Sequence, residues 1–111
     1  MYDIKDEEEK YVLVGVATSE NDDITQSIDE LEELVDTAGG IVVGRLIQNR
    51  ENIHPATYIG KGKIEELRAL ISEMSATGVV CDDELTPAQQ RNLEEALQLK
   101  VIDRTTVILD I

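Results

Sequence analysis

Residues 78–103 decide the fold, and they read GVVCDDELTPAQQRNLEEALQLKVID. The segment begins with a short apolar run at residues 78–82 and ends with another at residues 100–103. Between these runs, Thr86 is followed by Pro87 and Gln89, and this spacing predicts a helix that starts with a capping box. The segment therefore predicts a strand, a helix and a second strand.

The same alternation continues toward the N-terminus. Residues 11–17 form a continuous apolar run, typical of a strand that is covered on both faces, and residues 41–47 predict a second strand. Asp23, with Gln26 three residues later, predicts a helix N-cap. Apolar residues then recur at helical spacing in two segments, as Ile24, Ile28, Leu31, Val35 and Ala38 and as Ile64, Leu67, Leu70 or Ile71, and Met74. The order predicts an α/β fold, a small doubly wound sheet of four parallel strands in the order 2-1-3-4 with helices on both faces.

Composition excludes several classes of protein. The chain has 111 residues, enough for one compact domain, and 41% of them are apolar, enough for a core. No apolar run approaches the ~18 residues that a membrane-spanning helix needs. The single cysteine cannot form an internal disulfide, which fits a reducing, cytoplasmic location. The net charge of −14 argues against binding nucleic acid through overall charge, so any such contact must be local.

The chain divides into three parts. Residues 1–10 are rich in acidic side chains and predict a flexible tail. Residues 11–104 carry the predicted α/β domain. Residues 105–111 are expected to begin a following segment that is cut short, so that their apolar side chains lack cover and are frayed or packed on another molecule. Those side chains are Val107, Ile108, Leu109 and Ile111.

The motifs for enzyme chemistry are incomplete. Residues 60–63, Gly-Lys-Gly-Lys, lack the earlier glycine and the following Ser or Thr of a nucleotide-binding P-loop, although amides before a helix can bind phosphate. One cysteine and one histidine do not provide a zinc site or a Cys-His pair, and Cys81 is expected to be buried and inert. Asp82, Asp83 and Glu84 cluster at a strand end. They leave one alternative open, a small-ligand or metal-dependent enzyme of doubly wound fold.

The charge distribution points to a local contact. Residues 45–63 contain four basic side chains and one acidic side chain, a local net charge of +3, whereas the rest of the chain carries −17. A basic, glycine-containing segment on an acidic domain is consistent with a directed contact to an anion such as RNA.

Three long segments are informative when they are taken together. They are PATYIGKGKIEEL at residues 55–67, DDELTPAQQRNLE at residues 82–94 and VIDRTTVILDI at residues 101–111. Together they resemble one family, the HflX-type ribosome-associated GTPases. Their order and spacing are similar to those of the N-terminal domain of that family, and the resemblance extends over nearly the whole chain from Tyr11.

The resemblance implies an α/β N-terminal domain followed by a helical hairpin and a GTPase domain. It implies binding to the large ribosomal subunit, a role in splitting or rescuing stalled ribosomes, and GTP with magnesium as cofactors of the longer protein's G domain. No catalytic, cofactor or metal-binding residue is assigned to this chain, which is not expected to hydrolyse GTP by itself. The expected partners are ribosomal RNA of the large subunit and the parent's own hairpin and G domain. From charge and position we predict the RNA contact at Arg45, Arg50, His54, Tyr58, Lys61 and Lys63.

Overall fold

The computed structural model describes residues 8–19 and 23–110. Most of the tail predicted at residues 1–10 lies outside these ranges, and Lys10 already belongs to the first strand. The strands are β1 (Lys10–Ala17), β2 (Ile41–Asn49), β3 (Gly78–Cys81) and β4 (Lys100–Asp103). The helices are α1 (Ile24–Thr37), α2 (Lys61–Met74), α3 (Pro87–Leu97) and α4 (Arg104–Asp110).

The four strands form one parallel sheet in the order β2-β1-β3-β4, which confirms the predicted class and order. A register shift interrupts the pairing of β1 with β2, since Tyr11 pairs with Val42 but Val12 pairs with Gly44. The chain leaves β1 toward β2 on one side and later returns to place β3 on the other side. The boundary between β1 and β3 is therefore the topological switch point, where ligands of such sheets usually bind.

Helices cover both faces of the sheet. Val12, Val14 and Val16 of β1 pack in a cluster with side chains of α2 and α3. Tyr11 and Leu13 point to the opposite face, into a cluster that includes α1 and Val107 of α4. Burial on both faces explains why β1 is apolar at consecutive positions instead of alternating.

The predicted helix starts have different outcomes. Thr86 accepts a hydrogen bond from the Gln89 amide at 3.1 Å, and Gln89 accepts from the Thr86 amide at 2.9 Å, so the predicted capping box is confirmed. Asp23 is the N-cap residue of α1, as predicted, but its side chain makes no cap hydrogen bond. A capping side chain needs an extended backbone to reach the first-turn amides, as at Thr86 with ψ 158°, whereas ψ at Asp23 is 49°.

The last segment forms a short helix instead of fraying. The Thr106 amide and hydroxyl both donate to the Asp103 carboxylate at 3.0 Å, which caps the first turn of α4. Val107 is 3% exposed within its own domain, so the expectation that it lacks cover is wrong, whereas Ile108 and Leu109 are exposed. Ile111, which the same expectation included, lies outside the described residues. No helix in the described part of the chain is long and apolar enough to cross a lipid bilayer.

Candidate functional site

The loops that follow β2 and β3 lie together at one edge of the sheet. We call this the carboxyl edge and define it by residues 50–60 and 82–86. Parallel strands all end at this edge, and it contains five of the six predicted contact residues or adjoins them at the start of α2. The sixth, Arg45, lies within β2.

The loop at residues 50–60 folds back on itself. The His54 and Tyr58 backbones exchange two hydrogen bonds of 3.2 and 2.9 Å in an antiparallel bridge. The His54 ring lies inside this turn, where its Nδ1 accepts from the Ala56 and Thr57 amides at 3.1 and 3.3 Å. His54 therefore organises the turn with one ring nitrogen and remains partly exposed.

Helix α3 fixes the same turn from outside. The Gln89 side-chain amide donates to the His54 carbonyl, and the Asn92 side-chain amide donates to the Ala56 carbonyl, both at 2.9 Å. Satisfied carbonyls at two points limit the freedom of the loop. The tip of the loop, Pro55 and Ala56, is exposed, and the loop beneath it is held by these hydrogen bonds to α3.

Tyr58 is an anchor of the loop and is not a surface contact. Its side chain is 0% exposed, and its hydroxyl donates to Asp83 at 2.7 Å. Burial raises the pKa of Tyr58 above its ordinary value, so the phenol stays protonated and donates. The backbone at Tyr58 has φ 68°, a left-handed conformation that is unusual for a bulky residue. Tyr58 is thus removed from the predicted RNA contact set, because its ring has no surface to offer.

Arg45 is already paired within the domain. Its guanidinium lies 2.7 Å from the Asp29 carboxylate and 2.8 Å from the Glu32 carboxylate, both on α1. Glu32, and then Asp29, raise the pKa of Arg45 through these contacts. Arg45 therefore covers the α1 face of β2 and does not join the basic residues at the carboxyl edge.

Arg50 lies at the carboxyl edge and Lys61 and Lys63 lie at the adjoining start of α2, and we call these three residues the basic corner. Arg50 donates to the Asn52 carbonyl at 3.0 Å. Its Nη1 also lies so close to Gly60 that a Cβ at Gly60 would be 2.7 Å away. The fold therefore brings Arg50 against the residue that caps α2, immediately before Lys61. Lys61 makes no ion pair among the described residues, and Lys63 is 3.1 Å from Glu66 on the surface of α2.

The helix start in the basic corner presents backbone donors. Gly60 is the N-cap of α2 and makes no side-chain cap hydrogen bond, so it leaves first-turn amides free for a partner. The Gly60 amide itself donates to the Gln48 side chain at 2.8 Å, which holds the cap in place. The basic corner therefore combines cationic side chains with helix-start amides, groups that suit an anion.

The acidic strand end does not form a joint site. Asp82 is 4% exposed, accepts from the Ser27 hydroxyl at 2.6 Å, and lies with Oδ1 3.6 Å from Arg104 Nε. Asp83 instead accepts from Tyr58, and Glu84 is exposed. Within residues 8–19 and 23–110, no group of three ligating side chains that could hold a metal ion occurs. The alternative of a metal-dependent enzyme is not favoured, because Asp82 and Asp83 have separate structural partners and Glu84 is exposed.

Asp82 is nevertheless unusual. Its Oδ1 is buried and makes no hydrogen bond among the described residues. Burial raises the pKa of Asp82, and the Ser27 hydroxyl and the Arg104 charge only partly oppose that effect. Arg104 also donates to the Ser27 carbonyl at 3.2 Å, so one cation at the start of α4 connects β3 and α1.

Two further residues at the strand ends are structural. Cys81 is buried as predicted, and burial raises the pKa of its thiol, which suppresses the reactive thiolate. Asp103 was not singled out from the sequence, yet it accepts from the Leu85 amide at 2.8 Å and caps α4. Its position between the last strand and a helix was the one sequence feature that could have indicated a capping role.

Comparisons with known proteins agree on one family. A family model described as GTP-binding GTPase N-terminal matches residues 25–111. The whole chain is 60% identical to a GTPase HflX of Lacrimispora saccharolytica and 37% identical to a GTPase HflX of Escherichia coli, and it covers 26% of each. A GTPase HflX of Thermococcus kodakarensis is 42% identical over 82 residues, which are 74% of this chain and 18% of that protein. The chain thus spans about a quarter of the length of the first two of these relatives.

Solved structures share the fold. A crystal structure of a variant of SsGBP matches 92% of this chain and 31% of that chain with a TM-score of 0.66 and 17% identity. A crystal structure of the SsGBP and GDP complex matches 92% of this chain and 28% of that chain with a TM-score of 0.63 and 16% identity. Identity this low supports a common architecture only.

Proposed function

This chain belongs to the HflX GTPase family as its N-terminal domain, and from that premise we propose that it docks on the large ribosomal subunit and regulates the GTPase. Identity of 60% along all 111 residues to a GTPase HflX is the observation that carries the proposal. In this role the domain places the longer protein on ribosomal RNA and helps it to split or rescue stalled ribosomes.

The proposal assigns GTP chemistry to the remainder of the longer protein. Residues 60–63 lack the glycine and the hydroxyl side chain that a P-loop needs for phosphates and magnesium. We therefore propose that GTP and magnesium bind in the parent's G domain, and that its helical hairpin connects that domain to this one.

The basic corner is the proposed RNA contact. Arg50 can fork onto phosphate oxygens, Lys61 adds a point charge, and the first turn of α2 offers free amides. Long-range attraction to RNA is weak for a chain of charge −14, so short-range contacts must supply the binding. His54 and the exposed tip of its turn lie in the same loop as Arg50 and complete the proposed surface.

Co-sedimentation of the chain with purified large ribosomal subunits over a salt series tests the proposal. Affinity should fall with salt, each phosphate contact adding roughly 0.7–0.9 to the log–log slope if values for nucleic acids transfer. The triple variant Arg50→Glu, Lys61→Glu, Lys63→Glu should weaken binding and keep its fold, because Lys61 is exposed and Arg50 and Lys63 are only partly buried.

A matched pair of single variants separates local contact from total charge. Arg50→Glu and Arg91→Glu change the net charge equally. Arg91, however, is an exposed residue of α3 and does not belong to the basic corner. We expect only Arg50→Glu to weaken binding. If a folded triple variant binds subunits as tightly as the unchanged chain, the docking surface is not the basic corner.

A further inference from the structure

Strand β2 leaves one long side of the sheet open. It has nine residues and pairs only with β1 in the described part of the chain. The opposite edge, β4, has four residues. An unpaired edge of this length is a template for another strand, and proteins normally block it with proline, lysine or a bulge.

The regular part of β2 lies beyond its bulge. The Ile41 amide donates to the Glu9 carbonyl, and the Arg50 amide donates to the Ala17 carbonyl, at 2.9 and 3.0 Å. Because backbone groups alternate sides along a strand, the register after the bulge directs even-numbered residues toward β1. The amides and carbonyls of Arg45, Ile47 and Asn49 therefore face outward, and β2 contains no proline or lysine.

The helix beside this edge is strongly acidic. Asp29, Glu32, Glu33 and Asp36 of α1 lie along the β2 side, and the last three line a groove with Val42. Arg45 is the basic residue that meets them, and it contacts Asp29 and Glu32. Glu33 and Asp36 are exposed and make no ion pair among the described residues, so a local negative charge remains uncompensated.

The other face of the same edge is apolar. Val43 and Leu70 are partly buried against the cluster under α2 and α3. An added strand would therefore meet acids with one set of alternate side chains and apolar groups with the other set.

We propose that the outer edge of β2 binds an extended basic peptide segment in which Lys or Arg alternates with apolar residues. Main-chain hydrogen bonds to Arg45 and Ile47 provide the register, and Glu33 with Asp36 selects for the basic side chains. The surface runs along the strand and is independent of the basic corner, so this interaction goes beyond the proposed docking function.

The probe is a synthetic peptide of alternating lysine and valine, about nine residues long to match β2. Titration of isotope-labelled chain, followed by amide NMR shifts, should place the largest changes at residues 44–49 and on α1. Hydrogen exchange of the Arg45 and Ile47 amides should slow on binding, whereas amides that already donate to β1 should change little.

Two pairs of controls make the test specific. N-methylation of the peptide residues that face β2 should weaken binding about tenfold or more, and N-methylation of the alternate set should leave it within about twofold. Glu33→Lys with Asp36→Lys should also weaken binding about tenfold, whereas Glu73→Lys with Glu95→Lys, the same charge change elsewhere, should have little effect.

Three results would overturn the proposal. The first is equal loss of binding from both N-methylated peptides, and the second is equal binding of a peptide with glutamate in place of lysine. The third is concentration-dependent protection of Arg45 and Ile47 without peptide, since that would assign the edge to a second copy of this chain.

Discussion

The two ends of the sheet are built differently. At the end where the strands begin, which we call the amino edge, Glu9, Tyr11 and Lys100 satisfy one another. Glu9 accepts from the Tyr11 hydroxyl at 2.7 Å and from Lys100 at 3.1 Å. Lys100 also lies 5.3 Å from the centre of the Tyr11 ring, within reach of a cation–π contact. This end closes the domain with contacts that it makes to itself.

The carboxyl edge keeps unsatisfied groups. Asp82 has a buried oxygen without a hydrogen bond, and Lys61 makes no ion pair among the described residues. Polar groups left unpaired in this way are candidates for contact with a partner. We propose from this contrast that the carboxyl edge is the part of the domain that meets a partner and that the amino edge is a scaffold.

Loss of the Tyr58 ring should produce the largest effect. Tyr58→Ala removes a fully buried aromatic side chain, so we expect the free energy of unfolding to fall by about 3–5 kcal/mol. Tyr58→Phe removes only the hydrogen bond to Asp83 and should cost about 1 kcal/mol. Urea unfolding measures both, and a cost below about 1 kcal/mol for the alanine variant would contradict an anchoring role.

A methyl group at the amino edge should have the next largest effect. A Cβ at Gly78 would lie 2.8 Å from the Tyr11 ring and 3.3 Å from the Lys100 carbonyl, where there is no room for it. Gly78→Ala should therefore destabilise the domain by about 1–3 kcal/mol.

Gly62→Ala is the matched control in the basic corner. Nothing lies within 4 Å of a Cβ at Gly62, which is in the first turn of α2. The alanine variant should be more stable by a few tenths of a kcal/mol up to about 1 kcal/mol. Thermal unfolding measures both variants. An equal loss of stability in Gly78→Ala and Gly62→Ala would mean that the amino edge is packed no more closely than the basic corner.

The sequence was most informative where one local pattern determines the structure. The apolar run of β1 and the Thr86–Gln89 capping box each depend on neighbouring residues, and both were predicted correctly. The parallel arrangement of the strands and their order followed from the alternation of strands and helices, since a chain of strand–helix–strand units permits few topologies.

The candidate site was harder to predict, because long-range contacts decide which side chains face outward. Arg45 and Tyr58 belong by sequence to the basic segment, yet one pairs with α1 and the other enters the core. The glycine and lysine residues after Tyr58 do not indicate its burial, because the same neighbours could follow an exposed tyrosine. Arg50 meets Gly60 only through the fold of the intervening loop.

The two edges should respond to pH with opposite sign. The Tyr11 hydrogen bond, and then Lys100, lower the pKa of Glu9, so Glu9 contributes stability that is lost as pH falls through its folded-state pKa. Burial raises the pKa of Asp82, so the folded state binds that proton more tightly than the unfolded state does. The contribution of Asp82 to stability therefore increases as pH falls through its raised folded-state pKa.

Glu9→Gln and Asp82→Asn isolate these contributions. Over a series of mildly acidic pH values, the stability of the unchanged chain relative to Glu9→Gln should rise with pH, and relative to Asp82→Asn it should fall with pH. Chemical unfolding at each pH gives both differences. A common slope would mean that Asp82 and Glu9 have similar surroundings, contrary to the structure.

The smallest effect on stability should come from Lys61, where folding and binding make opposite demands. Lys61 is the first residue of α2, and a positive charge there opposes the helix dipole. Lys61→Glu should therefore raise the free energy of unfolding by about 0.3–1 kcal/mol, and Lys61→Gln by less. The same substitutions should weaken binding to large ribosomal subunits in the order Lys61→Glu before Lys61→Gln, because the proposed partner is an anion. Unfolding and co-sedimentation of the same two preparations compare the effects directly. If Lys61→Glu loses stability and binding together, the lysine supports the fold, and the carboxyl edge would then be a scaffold like the amino edge.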